Sequence, residues 1–268
     1  MASITSFKVG YCLHPGCMAL KGAGWQVCKF PARAWLLETQ GKRWLWDTGY
    51  ADHFEYYTSR GIYRLYNKIT PVCFNSGDAL FRQLKRQGIS TKDIQGLIIS
   101  HFHGDHIAGL RDFRDVPSIC SAIGWKKCRA LRGLAALKRA FVPDLIPEDF
   151  EIGLRFMEHF ERIALPAECA PFAQGFALPD SRHEIIMVPL PGHAFGHIGA
   201  FVQTDIGWVL LASDAAWSPV SYQRLQGPSR LAHWIMDDVT AYYHTLMRLH
   251  QLYLRGQTEI RLCHEGEL

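Results

Sequence analysis

No CxxC pair occurs in the 268 residues, although the chain has eight cysteines. Finger-like zinc sites are built on such pairs. Cys12 and Cys17, the nearest spacing, have no second pair at a suitable distance. Long apolar runs are missing too: Gly96–Ile99 and Trp208–Ala212 are strand-sized, far below the ~20 residues a membrane span requires. The opening MASITSFKVGYC carries neither a basic stretch nor an apolar run of signal-peptide length. These absences predict a soluble, cytoplasmic protein whose cysteines stay reduced, since a chain of this length needs no disulfide staples. Charge of one sign is equally scarce. Lysine plus arginine number 29 and aspartate plus glutamate 25, a surplus of 4 that is too dispersed for a dedicated nucleic-acid surface. Low-complexity segments and internal repeats are absent. The remainder is 48% hydrophobic and 20% charged, as in a globular chain able to bury a large core.

Within that frame the elements alternate. Ile4–Tyr11, Ala34–Thr39 and Arg43–Trp46 read as short strands, the last leading into the turn Asp47-Thr48-Gly49. Ser76–Gly88 reads as a helix, with Leu80, Phe81 and Leu84 on one face and Gly88 at its end. Gly96–Ile99 reads as a strand buried on both faces. Trp125–Phe141 has helical periodicity and carries Lys126, Lys127, Arg129, Arg132, Lys138 and Arg139, but no clear strand is visible between about 115 and 180. Glu184–Val188 reads as a strand and Ala200–Thr204 with Trp208–Ala212 as a hairpin. Ser229–Arg255 reads as a long helix ended by Gly256, and Glu259–Cys263 as a final strand. The expectation is one α/β domain spanning 1–268 with two related halves and a helical, lid-like insertion at about 120–180.

The 13 histidines are the richer signal. In His101-Phe102-His103-Gly104-Asp105-His106, residues two apart on an extended segment share a face, so His101 and His103 can point at one ion. A turn at Gly104 lets Asp105 and His106 face a neighbouring one. Neutral imidazole with carboxylate suits zinc, or iron or manganese as the carboxylate share rises. The segment begins where a buried strand ends, the usual place for a ligand site in an open α/β sheet. Asp47, His193, Asp214 and His264 also follow expected strands, the second of them within Pro191-Gly192-His193-Ala194-Phe195-Gly196-His197.

The series Asp, HxHxDH, His, Asp, His, spread over about residues 30–264, resembles the metallo-β-lactamase superfamily of metal-dependent hydrolases. The resemblance implies an αββα four-layer sandwich, with two mixed sheets face to face and helices outside. It also implies two divalent ions, zinc first. His101, His103 and His193 would hold one, Asp105, His106 and His264 the other, and Asp214 both. Asp47 would orient a ligand from behind, and His197 would do the same or touch substrate. A hydroxide between the ions would attack the scissile centre, and Asp105 would pass the proton to the leaving group.

Among known branches the chain looks like the N-acyl homoserine lactone lactonases, which implies a lactone, ester or thioester as substrate. That branch often has a tyrosine three residues after the bridging aspartate, where this chain has Trp217, whose indole can only donate. The basic residues of 125–155 suit an anionic small molecule, and Trp125, Phe141, Leu145 and Phe150 an apolar wall. Alternatives are a phosphodiesterase or ribonuclease of the same superfamily, an iron-dependent oxidoreductase on this fold, and a metal-binding protein without catalysis. No nucleic-acid or membrane partner is expected, and nothing in the sequence specifies an oligomeric state.

Overall fold

In a computed structural model, which describes residues 1–265, the first expected strands pair into a mixed sheet. β1 (Ser3–Pro15) runs antiparallel to β2 (Val27–Thr39), and β2 to β3 (Lys42–Trp46). β4 (Val72–Cys73) borders β1. β5 (Ile94–Ile98), β6 (Ser118–Cys120) and β7 (Arg155–Phe156) continue beyond β3, each parallel to its neighbour. The second sheet comprises β8 (Arg162–Ala164), β9 (Gln174–Ala177), β10 (Ile185–Pro189), β11 (Ile198–Thr204), β12 (Gly207–Ser213) and β13 (Thr258–Leu262). Its order is β13-β12-β11-β10-β9-β8, and among its pairs β12 and β13 run parallel.

Period-two alternation decides which side chains meet. Trp35, Leu37, Trp46 and Ile98 point inward and form one buried cluster with Met187, Ile198, Val209 and Leu211 of the opposite sheet. Their chain neighbours Leu36, Leu45, Leu97, Val188, Leu210 and Ala212 point outward into a second cluster, under the helices. Connections of the first sheet carry α1 (Asp52–Thr58), α2 (Arg64–Ile69), α3 (Leu80–Arg86), α4 (Gly104–Ile107), α5 (Ala122–Cys128) and α6 (Gly133–Leu137). The β12–β13 connection carries α7 (Pro219–Arg224) and α8 (Val239–Arg255). The layers are therefore helix, sheet, sheet, helix, as the resemblance implied. Trp44 and Trp46 are core, and Trp46 Nε1 donates to Ser213 Oγ at 2.9 Å, tying the two sheets together. Among the described residues no helix is long and apolar enough to cross a membrane.

Four local expectations need correction. The 76–88 segment is a 3-10 turn (Ser76–Asp78) followed by α3, rather than one helix. The 229–255 helix begins only at Val239, capped by Asp238, whose side chain accepts from Ala241 N. Before it, the N–H groups of Asp237 and Asp238 donate to the carbonyls of His193 and Gly192, so this segment is committed to holding the His193 loop instead of coiling. Trp125–Phe141 breaks into α5 and α6 at Gly133, whose left-handed φ of 55° the periodic pattern does not reveal. The stretch read as strandless supplies β6 and β7 to one sheet and β8 and β9 to the other. Such short strands lack the length that makes alternation visible.

Candidate metal centre and its cavity

Strand ends deliver most of the chemistry. β3 ends beside Asp47, β5 leads to His101 and His103, β12 ends beside Asp214, and β13 leads to His264. Asp47 and Ser213 both adopt left-handed backbone (φ 57° and 45°), uncommon for residues with a Cβ, and hydrogen bonds at these corners hold them there. The His193 loop comes close to α8. A Cβ on Gly192 (φ 124°) would lie 2.1 Å from Tyr242 N, so no other residue fits.

Four donor atoms converge on one point. His193 Nε2 lies 3.2 Å from His101 Nε2, 3.0 Å from His103 Nδ1 and 3.4 Å from Asp214 Oδ2. Burial, reinforced by the neighbouring imidazoles, pushes the pKa of His101 and His193 well below 6.5. Burial also brings His103 down to about 4, so the three rings are neutral near pH 7.

A second set adjoins it. His264 Nε2 lies 2.9 Å from Asp105 Oδ2 and 3.2 Å from Asp214 Oδ2, and His106 Nε2 lies 3.3 Å from Asp214 Oδ1 and 3.7 Å from Asp105 Oδ2. Here the balance reverses. Burial opposes charge, but Asp105, Asp214 and Asp47 outweigh it and raise His106 to about 10. His264 is likewise held well above 6.5, burial being overcome by Asp214 and Asp105. Burial would raise Asp105, yet His106 and His264 hold it down at about 2.

The cluster is oriented from behind. Asp47 is fully buried; its Oδ1 accepts from Ser100 N and its Oδ2 from Ser100 Oγ, both at 2.7 Å. Its Oδ2 also lies 2.8 Å from His106 Nδ1, and Ser100 Oγ lies 3.0 Å from His101 Nδ1. One carboxylate therefore directs the inward nitrogen of an imidazole in each set, directly for His106 and through Ser100 for His101. His264 Nδ1 donates to Pro31 O at 2.8 Å with the same effect. His197 uses both nitrogens inside the protein. Nδ1 donates to Leu190 O and Nε2 accepts from Asp214 N, so it steadies the Asp214 backbone and is not among the cavity residues. Trp217 Nε1 donates to Asp214 Oδ2 at 3.0 Å, and its ring meets His193 edge-on.

A cation fits these groups. His106 Nε2 and Asp214 Oδ1, both within the second set, are buried with no hydrogen-bond partner, which costs free energy unless something else satisfies them. The grouping His101, His103, His193 and Asp214 and the grouping His106, Asp214 and His264 each bring their donor atoms within 4.8 Å of one another. The second grouping also contains Cys263. Its thiol is fully buried, accepts from Arg33 N at 3.3 Å and donates to Arg33 O at 3.5 Å, so it is engaged with the β2 backbone, and burial pushes its pKa up. Sequence reasoning missed the roles of Ser100, Pro31 and Cys263. A serine next to His101 was the only available signal.

Over both sets opens a cavity of about 590 Å³, with His103, Asp105, His193, Asp214 and His264 in its floor. Its walls are apolar, built by Met18 and Phe30 near β1 and β2, Leu134 and Leu137 of α6, and Leu231 and Ile235 before α8. Tyr50 also lines it, and the Tyr50 hydroxyl is buried with no hydrogen-bond partner. Trp125, Phe141, Leu145 and Phe150, expected as a wall, are packed core instead, with the Trp125 indole donating to Glu151. Of the six basic residues in that stretch, Lys138 alone lines the cavity.

Residues 29–206 match the sequence profile of the metallo-beta-lactamase superfamily. A protein named probable metallo-hydrolase from Mycobacterium tuberculosis is 26% identical over 186 residues, 67% of this chain. The chain spans about half (55%) of that relative's length. An N-acyl homoserine lactonase of Bacillus thuringiensis is 25% identical over 202 residues, 74% of this chain and 69% of its own. In fold, the chain is similar to an N-acyl homoserine lactone hydrolase solved with N-hexanoyl-L-homoserine at its catalytic metal centre (TM-score 0.73, 19% identity, 98% and 92% of the two chains). It is also similar in fold to a probable metal-dependent hydrolase from Staphylococcus aureus (TM-score 0.73, 16% identity, 98% and 89%).

Proposed function

The chain belongs to the metallo-beta-lactamase superfamily, and on that premise we propose that it is a dinuclear metal-dependent hydrolase of a lactone, ester or thioester in a small molecule. The observation that carries this reading is the convergence of seven donor side chains, in two sets sharing Asp214, under an apolar-walled cavity. His101, His103 and His193 would hold one cation, Asp105, His106 and His264 the other, and Asp214 both. Imidazole and carboxylate donors with no thiolate favour zinc, with iron or manganese as alternatives. When bound, such cations ionise water at neutral pH and polarise a carbonyl.

The remaining work falls to the chain's own groups. Asp47 and the Pro31 carbonyl keep the inward nitrogens of His106 and His264 free of protons once cations are present. Asp105 Oδ2, at the cavity floor, takes the proton of the attacking water and returns it to the leaving oxygen or sulfur. One C–O bond forms from water, one bond to the leaving group breaks, and the products are a carboxylic acid and an alcohol or thiol. The apolar walls accept the rest of the substrate and keep bulk water away. Trp217, with its N–H committed to Asp214, leaves no donor where the lactonase-like branch often has a tyrosine.

The test is elemental analysis together with turnover of a panel of lactones, esters, thioesters and an aryl phosphodiester, before and after chelation and reloading. Two cations per chain and chelator-sensitive cleavage of carbonyl esters are expected. Two bound cations with no turnover of any carbonyl ester would instead mark a binding protein, and preferential phosphodiester cleavage would mark the phosphodiesterase alternative.

A further inference from the structure

The walls and the rim of the cavity carry a charge asymmetry that the whole chain does not. Three wall segments, residues 64–70, 131–140 and 229–235, contain Arg64, Lys68, Arg132, Lys138, Arg139 and Arg230 and not one aspartate or glutamate. The chain as a whole is nearly balanced, 29 basic residues against 25 acidic. Several basic groups elsewhere face an acid, as Arg111 does Glu148, Arg114 Asp149, Lys42 Asp180 and Arg43 Glu38, whereas the three wall segments hold no acid of their own. Among the described residues Arg64, Lys68, Arg132, Lys138 and Arg230 form no ion pair, and all five are exposed. The nearest acid in the chain after residue 235, Asp237, already faces Lys127 at 3.8 Å. Interleaved with these cations are large apolar side chains that also line the cavity and remain open to water: Ile69 (66% exposed), Leu134 (68%), Leu231 (51%) and Trp234 (75%).

Unpaired cations beside exposed aliphatic and aromatic groups, around an apolar cavity, suit one ligand chemistry. We propose that the substrate is an anionic amphiphile: an ester-type compound whose aliphatic part lies along the walls and whose negatively charged group, away from the scissile carbonyl, meets Lys138 and its cationic neighbours at the rim. This rests on the hydrolase reading and names its substrate class. Lys138 is the specificity-determining contact, because it is the one cation that both lines the cavity and lacks a partner among the described residues. Hydrolysis proceeds as above, with the anionic group unchanged.

Two measurements on the metal-loaded protein test the proposal. In the first, decanoate aryl esters carrying either a carboxylate or a carboxamide on the ring are compared. The anionic ester should have a kcat/KM ~10-fold higher, the size expected from two or three exposed charge contacts, and rising salt should erase the advantage. Lys138→Met combined with Arg64→Gln and Arg230→Gln should bring the kcat/KM of the anionic ester down to that of the carboxamide ester, with the metal content unchanged. In the second, calorimetric binding of decyl sulfate below its micelle concentration should be tighter than that of decyl glucoside by a similar factor, and the triple variant should equalise them. Equal kcat/KM for the two esters, or a preference that survives the triple variant, overturns the proposal. Cleavage of the anionic ester only when it is presented in vesicles also overturns it, since the rim would then be reading a lipid surface. Cleavage of neither ester would fail the hydrolase reading itself, and decyl sulfate binding distinguishes that case.

Discussion

The floor and the walls of one cavity are built by opposite rules. On the floor every polar group is buried and four of the donors are held from behind: Asp47 behind His106 and, through Ser100, behind His101, Pro31 behind His264, and His197 behind the Asp214 backbone. On the walls the side chains are apolar or cationic, half or more exposed at the rim, and held by little beyond their own short helices. A floor of this kind sets geometry to within the tolerance that catalysis needs, whereas such walls select a class of ligand by area and charge.

The largest effect should come from the residue both donor sets share. Asp214→Ala removes one ligand from each set and leaves His106, His193 and His264 facing an emptied corner, so activity should fall to background and bound metal should drop from two equivalents. Elemental analysis of the purified variant checks this, and full activity would break the distinction between floor and wall. His103→Ala should abolish turnover in the same way through loss of the first set.

Asp47→Asn tests positioning alone, since its side chain is behind the cluster and never reaches the cavity. Losing the charge that orients His106 should weaken metal affinity by roughly 10- to 100-fold, visible in competitive chelator titrations, with secondary structure intact.

The two donor sets should also separate by pH. In metal-stripped protein His106 is raised from 6.5 to about 10, so its contribution to stability is fully present below pH 6.5 and is lost as pH climbs through 10. Asp105 is lowered from 3.8 to about 2, so its contribution is present above pH 3.8 and is lost as pH falls towards 2. Tm of the stripped protein should therefore decline on the alkaline side, and adding zinc should flatten that decline. Proton release on loading should come from the His106 and His264 set, because the other three imidazoles are already neutral; potentiometry during zinc titration measures it.

The smallest effect belongs to the walls. Leu137→Ala removes apolar surface next to Lys138 and should raise KM for long-chain esters a few-fold while kcat and metal content stay the same, a loss of binding shared by ground and transition states. A fall in kcat instead would mean that the wall also acts on the chemistry.

The same division governs how much was legible before any coordinates. The floor could be read because metal chemistry permits few residue types, and strand ends place them: Asp47, the His101–His106 run and Asp214 all follow apolar runs that are visible by eye. Alternation in β2, β3 and the β11–β12 hairpin was readable for the same reason, since each strand has one face in the inter-sheet core. The walls were not readable. Leu134 and Leu137 belong to a helix that opens on a left-handed Gly133, and the segment before α8 is kept from coiling by hydrogen bonds to Gly192 and His193, 44 to 46 positions earlier in the chain. The short strands β6 to β9 escaped notice because two to four residues carry no period.

What the amino-acid order determined by itself was the identity of the donors and the layers that carry them, because residue chemistry and periodicity are local properties. Only the tertiary structure decided that one buried carboxylate serves both donor sets, that the Pro31 carbonyl meets His264, and that Lys138 reaches the apolar cavity over the donors. Each of those depends on contacts between segments far apart in the chain, and no local pattern encodes which distant partner a side chain will meet.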